Sequence, residues 1–233
     1  MYSRIISELK KSSHPEKIKV LQGFFKTGNG EYGEGDRFLG VVVPDQRRIA
    51  KAYHEVDFKV IKKLLGSSYH EHRLTGLLIL VYKYQLADEK NKRDVYNFYL
   101  KNTKAINNWD LVDVTCPGIV GDYLYNHQKE KKILYRLVKS KNLWERRIAV
   151  LATFVFIRRG DFKDILAISK LLLRDKHDLI HKAVGWMLRE VGKKNRAVLV
   201  KFINENVLVM PRTTLRYAIE KFSPTERAKF MIK

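Results

Sequence analysis

The sequence predicts an all-α protein, a superhelical solenoid built from helix-pair repeats of the HEAT-like type. Two observations indicate this fold class. Apolar residues recur at helical spacing along most of the 233 residues, and proline is scarce, with five residues. Only one short stretch, Phe38 to Val43, has the pattern of a strand. With 45% hydrophobic residues the chain can bury a substantial core, so residues 1–233 are predicted to form a single domain.

The helices can be assigned in chain order from the apolar periodicity and from helix-start signals. Pro44 with Asp45, Asp57, Asp161 and Pro211 lie at or near the first turns of predicted helices. The predicted segments are close to 3–11, 14–26, 44–54, 57–66, 70–86, 88–101, 108–116, 118–127, 130–139, 142–159, 161–173, 177–193, 195–205, 211–222 and 224–231.

Charge and cysteine content restrict the function. Lys and Arg number 46 against 25 Asp and Glu, a formal net charge of +21. Such an excess favours a polyanionic partner, with nucleic acid as the leading candidate and an anionic membrane surface as the second. The single cysteine, Cys116, cannot form an internal disulfide, no Cys/His set has zinc-site spacing, and the longest apolar run is too short to span a bilayer. We therefore expect a soluble, cytoplasmic protein without metal or organic cofactor.

One helix start recurs along the chain, with a basic pair (counting His) before apolar and small residues. The copies are His72-Arg73-Leu74, Arg146-Arg147-Ile148, His181-Lys182-Ala183 and, more weakly, Arg216-Tyr217-Ala218. Their anchors Arg73, Arg147, Lys182 and Arg216 follow at steps of 74, 35 and 34, so a missing copy is expected near residue 110. Helix-pair solenoids have periods of about 34–47 residues, and their equivalent positions stack into a ridge. The anchors are therefore predicted to form a basic ridge that binds DNA phosphates.

The stretch from Asn107 to Asp113 occupies the missing copy and replaces the basic anchor with acidic residues. On a helix, Trp109 and Asp113 share one face because they are four residues apart, and Trp186 follows the anchor Lys182 at the same spacing. An indole face attracts cations by about 0.5–2 kcal/mol. A carboxylate beside it can stabilise positive charge that develops on a sugar. The alternative, tryptophans in the core and an aspartate that caps a helix, has comparable weight.

Other motifs have simpler explanations. Arg146 and Arg147 are a candidate phosphate clamp, with a solvated basic face as the alternative. Gly28 to Gly33 matches a nucleotide-binding fingerprint literally, but it follows a helix and lies among acidic residues, so a flexible loop is expected. His70-Glu71-His72 is interpreted as a helix start with exposed histidines, because residues two apart diverge on a helix and chelate poorly. Cys116 has no evident histidine that could act as its general base, so it is interpreted as a structural residue and not as a catalytic thiol.

Taken together, these motifs resemble the AlkD-type DNA alkylation repair family. The resemblance rests on Asn108–Asp113, Gly121-Asp122, Asn142–Arg147, Lys182–Glu190 and Pro211–Lys221, in the family's order and spacing within about residues 14–225. It implies a superhelix whose concave basic face holds duplex DNA. It also implies a monofunctional DNA glycosylase that excises positively charged alkylpurines, such as 3-methyladenine and 7-methylguanine, without flipping the base.

The resemblance also assigns roles to particular residues. The family's catalytic aspartate and two tryptophans fall on Asp113, Trp109 and Trp186, and its phosphate-contacting arginine falls on Arg147. A family tyrosine that contacts DNA is replaced by Phe24 or Phe25, and the loop after it is longer.

We expect a monomer that acts on double-stranded DNA, with Lys182, Arg73, Arg216, Arg146 and Phe24 as further DNA contacts. Some relatives have lost the aromatic and acidic set and bind DNA without cleaving. A non-catalytic protein that binds duplex or damaged DNA is therefore the first alternative, and a solenoid scaffold for an acidic protein is the second.

Overall fold

The computed structural model describes residues 1–232, and within them the chain is all-α, as predicted. It divides into two compact units, residues 1–119 and the residues from Val120 onward. The strand pattern at Phe38 to Val43 was wrong. Residues 38–42 form no strand, Gly40 has a φ of 83°, and Val43 already begins a helix, while the isolated bridge nearby joins Arg37 to Tyr69.

The first unit is organised around one helix that is buried along most of its length. Its helices are α1 (Tyr2–Lys11), α2 (Ile18–Phe24), α3 (Val43–Ala52), α4 (Phe58–Leu65), α5 (His70–Leu86), α6 (Glu89–Lys101) and α7 (Trp109–Asp113). The run from Leu74 to Val81 is buried on every face, as expected for a helix that is apolar all round. Helices α3, α4 and α6 pack against α5 and leave its first turn facing α7.

The second unit is organised around α13. A π-helical turn, Pro117–Gly121, precedes the first helix of this unit. The helices of the unit are α8 (Asp122–Asn126), α9 (Lys132–Val138), α10 (Leu143–Ala152), α11 (Phe154–Arg158), α12 (Lys163–Leu172), α13 (Asp178–Lys194), α14 (Arg196–Asn206), α15 (Arg212–Ala218) and α16 (Pro224–Met231). The predicted helix 142–159 divides at Thr153, whose hydroxyl donates to the Val150 carbonyl at 2.6 Å. Gly185 lets α15 approach α13, since a Cβ there would lie 2.5 Å from the Tyr217 Cβ.

Five helices begin at repeat intervals, which confirms that the helix start recurs. Their N-caps are Tyr69, Asn108, Asn142, His177 and Pro211, separated by 39, 34, 35 and 34 residues. Counting the first helical residue as position 1, the fourth-position row consists of Arg73, Val112, Arg146, His181 and Leu215. The fifth-position row consists of Leu74, Asp113, Arg147, Lys182 and Arg216.

This register corrects the predicted alignment of the repeats. The first interval is longer than the others, so the residue equivalent to the anchors Arg147, Lys182 and Arg216 is Asp113, not residue 110. Arg73 belongs to the fourth-position row and is not an anchor of the same kind. Among residues 1–232, no helix has both the length and the apolar character needed to cross a membrane.

Candidate functional site

Helix α7 presents an indole and a carboxylate at the surface of the first unit. The buried side chain of Asn108 caps it, its Oδ1 accepting the Trp109 backbone N–H at 2.8 Å. Leu111 and Val112 anchor the helix in the core, whereas Trp109 and Asp113 are half-buried at its two ends. The helix ends at Asp113, earlier than the predicted residue 116, and the candidate catalytic pair occupies its single exposed face.

The Asp113 carboxylate lies near two buried groups that stay neutral. Burial raises the pKa of the Cys116 thiol well above its usual value, and the negative charge of Asp113 raises it further. Burial likewise raises the pKa of the Tyr99 phenol, with smaller contributions from Cys116 and Asp113. The Thr115 hydroxyl donates to the Leu111 carbonyl at 2.5 Å, so the Tyr99 hydroxyl donates to Thr115 at 3.0 Å. A protonated, buried Cys116 is unsuited to nucleophilic chemistry, as predicted.

An aromatic cluster supports the indole of Trp109. Its ring stacks on Phe25, with centroids 5.4 Å apart, and meets the edge of Phe24 at 5.6 Å. Phe25 is buried, whereas Phe24 is 59% exposed. Of the two phenylalanines that could replace the family's tyrosine, Phe24 is therefore the accessible one. A cavity of about 400 Å³ adjoins the cluster and is lined mainly by apolar side chains, including Phe38 and Val43.

A buried chain of charges ties α7 to α5 and to the loop before α3. The His70 ring donates from Nε2 to Asp110 Oδ2 at 2.8 Å and from Nδ1 to Asp36 Oδ2 at 3.2 Å. The Arg73 guanidinium lies 2.7 Å from Asp36 Oδ1. Burial opposes a charge on His70, yet the charges and hydrogen bonds of Asp110 and Asp36 outweigh it and raise its pKa to about 9.

These contacts correct two predictions. The histidines at the start of α5 were expected to be exposed, but His70 is 2% exposed and His72 is also buried. Asp110 is a buried ion-pair partner and no part of an exposed catalytic set, which leaves Asp113 as the accessible carboxylate of α7. This network was not predicted from the sequence. The start of a helix that is apolar all round was the available signal that His70 would be buried.

Glu71 and His72 have separate structural tasks. The Glu71 carboxylate accepts the backbone N–H groups of Leu39 and Gly40 at 3.0 and 2.8 Å, which fixes the loop before α3. Burial and the nearby charge of Arg73 lower the pKa of His72 to about 4, and its Nδ1 lies 2.7 Å from the Ser67 hydroxyl. The two histidines thus contact different groups and do not converge on a shared metal site.

The glycine-rich loop is closed by its own acidic side chains. Glu31 accepts the Gly28 N–H at 2.8 Å, and Glu34 accepts the Gly30 N–H at 2.9 Å. A nucleotide phosphate would need such backbone donors, and carboxylates already occupy them. This arrangement agrees with the rejection of the nucleotide-binding fingerprint.

The cations of the fourth-position row are structural. Arg73 donates to the Ser67 carbonyl, six residues earlier, at 2.9 Å, and Arg146 donates to the Ser140 carbonyl at 3.0 Å. Arg73 is 4% exposed and paired with Asp36, while Arg146 makes a two-pronged pair with Asp175 at 2.6 and 3.3 Å. The prediction that Arg73 and Arg146 bind DNA is therefore corrected, because their guanidinium groups join helix starts to the preceding loops.

The cations of the fifth-position row differ in accessibility. Arg147 is 5% exposed and donates to the Leu179 carbonyl at 2.6 Å, so it departs from the exposed ridge that was expected. Lys182 is half-buried and pairs with Asp178 at 2.7 Å, and Arg216 is exposed. Trp186 is half-buried one turn after Lys182 on α13, with its ring 6.1 Å from that of Phe154. Lys182 and Trp186 thus share a face of α13.

An all-α repeat fold with a large positive charge and an accessible aromatic–carboxylate pair is the architecture of a nucleic-acid-binding protein with a candidate active site. The family model for DNA alkylation repair enzymes matches residues 5–222, and the chain belongs to this family. Membership gives it a role in DNA repair, with DNA as its partner. No curated protein sequence matches the chain.

Two solved structures share the fold. A protein from Enterococcus faecalis described as a predicted DNA alkylation repair enzyme has a TM-score of 0.71 and 16% identity, with 91% of this chain and 98% of that chain covered. AlkD2 from Streptococcus mutans has a TM-score of 0.55 and 19% identity, with 90% and 98% covered.

Proposed function

We propose that this protein is a monofunctional DNA glycosylase that removes positively charged alkylpurines, such as 3-methyladenine and 7-methylguanine, from duplex DNA. It acts as a monomer and hydrolyses the N-glycosidic bond without metal or organic cofactor and without flipping the base. Family membership supports the role in alkylation repair. The finer assignment, a hydrolase and its substrates, depends on the candidate site of α7.

One observation carries the proposal, namely the charge of Asp113 in the fifth-position row. The three later helices of the row have Arg147, Lys182 and Arg216 at this position. A carboxylate in a DNA-binding chain of net charge +21 repels the phosphates of its own ligand. It is therefore suited to a task other than affinity, and the half-buried indole of Trp109 on the same face indicates recognition of a cation.

The chemistry requires only a carboxylate and a water molecule. An alkylpurine with a positive charge is a good leaving group and departs with the electron pair of the bond to C1′, becoming neutral. Positive charge develops on the deoxyribose, and the Asp113 carboxylate stabilises it electrostatically. The water oxygen bonds to C1′, and its proton passes to Asp113. The face of Trp109 packs on the sugar, and Trp186 is the second candidate catalytic indole. Phe24, Lys182 and Arg216 are assigned to DNA contacts, whereas Arg147 is left out because it is buried and bonded to the Leu179 carbonyl.

The test is release of free 7-methylguanine from methylated duplex DNA under single-turnover conditions. Asp113→Asn should slow release by about 10²–10³-fold, because it removes one electrostatic stabiliser of the transition state. Asp94→Asn, on the exposed surface of α6, is the matched control for loss of one negative charge and should leave the rate unchanged.

Binding to the same duplex separates the proposal from its alternatives. Tight binding by the wild-type protein with no base released at high enzyme concentration would establish a non-catalytic DNA-binding protein. Failure to bind duplex DNA even at low salt would favour a scaffold for an acidic protein.

A further inference from the structure

We propose that His70 is a positioning residue for the candidate catalytic helix, an imidazolium that holds α7 so that Trp109 and Asp113 face the DNA. The inference rests on the proposed function for its kinetic consequences, but the positioning itself can be measured without catalysis. His70 belongs to α5 and lies outside the accessible face of α7, so it acts through other residues.

The first connection runs through hydrogen bonds. Asp110 is the second residue of α7, next to Trp109 and three residues before Asp113. Its Oδ2 accepts from His70 at 2.8 Å, whereas its Oδ1 is buried without a hydrogen-bond partner. Within the described part of the chain, the hydrogen bond from His70 therefore carries this buried carboxylate. A buried charge that loses its partner is strongly destabilising.

The second connection runs through the aromatic cluster. The His70 ring lies 4.7 Å from Phe25 and stacks on Phe38 at 4.9 Å, and Phe25 in turn stacks on the indole of Trp109. The His70 side chain thus supports α7 in two ways. It binds Asp110, the residue next to Trp109 in the sequence, and it packs on Phe25, which stacks on the Trp109 ring. His70 is the residue that both connections share.

The charges around His70 require its protonated form. Asp110 on α7 and Asp36 in the preceding loop each accept from one ring nitrogen, and Arg73 on α5 faces Asp36. A neutral imidazole has one N–H donor and can serve only one of these carboxylates. Because the pKa of His70 in the folded protein, about 9, lies above its ordinary value of 6.5, the stabilisation is complete below pH 6.5. It is lost as the pH rises through about 9.

His72 provides a matched control two residues further along α5. It is also a buried histidine, and its ring contacts Ser67 and Tyr69, which lie before α5. His70→Gln and His72→Gln make the same chemical change in the same helix. Any general cost of replacing a buried histidine should appear in both variants.

The kinetic test compares excision with binding in these two variants. His70→Gln should reduce the single-turnover excision rate by about tenfold to a hundredfold, as a small misplacement of catalytic groups does. Its affinity for duplex DNA should change little, and His72→Gln should retain the wild-type rate. Equal excision rates in the two variants would overturn the proposal. If His70→Gln does not fold, the double variant His70→Gln/Asp110→Asn, which removes one charge of each sign, replaces it and should show the same loss.

The structural test needs no catalysis. Fluorine NMR of protein labelled with 5-fluorotryptophan gives separate signals for Trp109, Trp144 and Trp186, assigned by single substitutions to Phe. The Trp109 signal should titrate with a midpoint near the His70 pKa of about 9 and lose this titration in His70→Gln. Trp144, buried in the second unit, is the internal control and should not titrate.

The two tests separate the inference from the proposed function. A Trp109 signal that does not respond to pH or to the His70 substitution would overturn the positioning role, whatever the activity. Titration of Trp109 in a protein that releases no base would leave the positioning role standing and contradict the glycosylase.

Discussion

Helix α7 of the first unit and helices α10, α13 and α15 of the second begin at repeat intervals but carry opposite charges at the same position. Asn108 and Asn142 cap α7 and α10 through the same side-chain oxygen. Five residues after each cap, α7 has Asp113 while the other three helices have Arg147, Lys182 and Arg216. The repeat thus keeps the spacing of the helix starts and changes the charge at the fifth position.

The comparison shows that the basic residues of the repeats have two roles, ion pairing within the fold and positive charge at the surface. The fourth-position arginines, Arg73 and Arg146, form ion pairs with Asp36 and Asp175. These pairs join helices to loops. At the fifth position, Lys182 and Arg216 keep part or all of their side chains exposed. Arg147, at the same position, is 5% exposed and bonded to a backbone carbonyl. The cations of the repeat therefore divide between fold and surface, and net charge alone does not identify the DNA-binding residues.

The largest effect outside the carboxylate is expected at the indoles. Trp109→Ala should slow excision by roughly thirtyfold, since a cation–π contact of about 2 kcal/mol corresponds to that factor. Trp186→Ala should also slow excision more than it weakens binding. The measurement is the single-turnover rate and the dissociation constant on one duplex. Equal losses of rate and affinity would mean that the indoles only hold the fold or the DNA.

A smaller effect should separate the two rows of cations. Lys182→Met should lower the slope of log affinity against log salt by about 1, as loss of one phosphate contact does. Arg146→Met should leave the slope unchanged and lower the free energy of unfolding by about 1–3 kcal/mol, because its charged hydrogen bonds to Asp175 are half-buried. A lower slope in Arg146→Met with unchanged stability would mean that the rows have been assigned the wrong way round.

The sequence was sufficient for the fold class and most helix starts, because capping residues and apolar periodicity are local. It was insufficient for the register. The interval from Tyr69 to Asn108 is 39 residues, and an average spacing placed the repeat position at residue 110. That error also paired Arg73 with cations of a different row.

The accessible part of the candidate site could be predicted, and its support could not. Trp109 and Asp113 were identified by their spacing and by the family resemblance, and the structure places both half-buried on α7. The role of His70 depends on Asp36 and Asp110, which are 34 and 40 residues away in the sequence. Such long-range pairing leaves no periodic signal. The all-round apolar character of α5 could have predicted that His70 is buried, but not which residues it pairs with.

The central claim is that the carboxylate in the fifth-position row provides catalysis at the expense of DNA affinity. The most direct measurement is therefore excision and binding by Asp113→Lys, which gives α7 the type of residue that α13 carries. Duplex affinity should increase, with a salt slope steeper by about 1, and release of 7-methylguanine should become undetectable. Excision by Asp113→Lys within about tenfold of the wild-type rate, less than the loss of a single electrostatic stabiliser, would contradict the account.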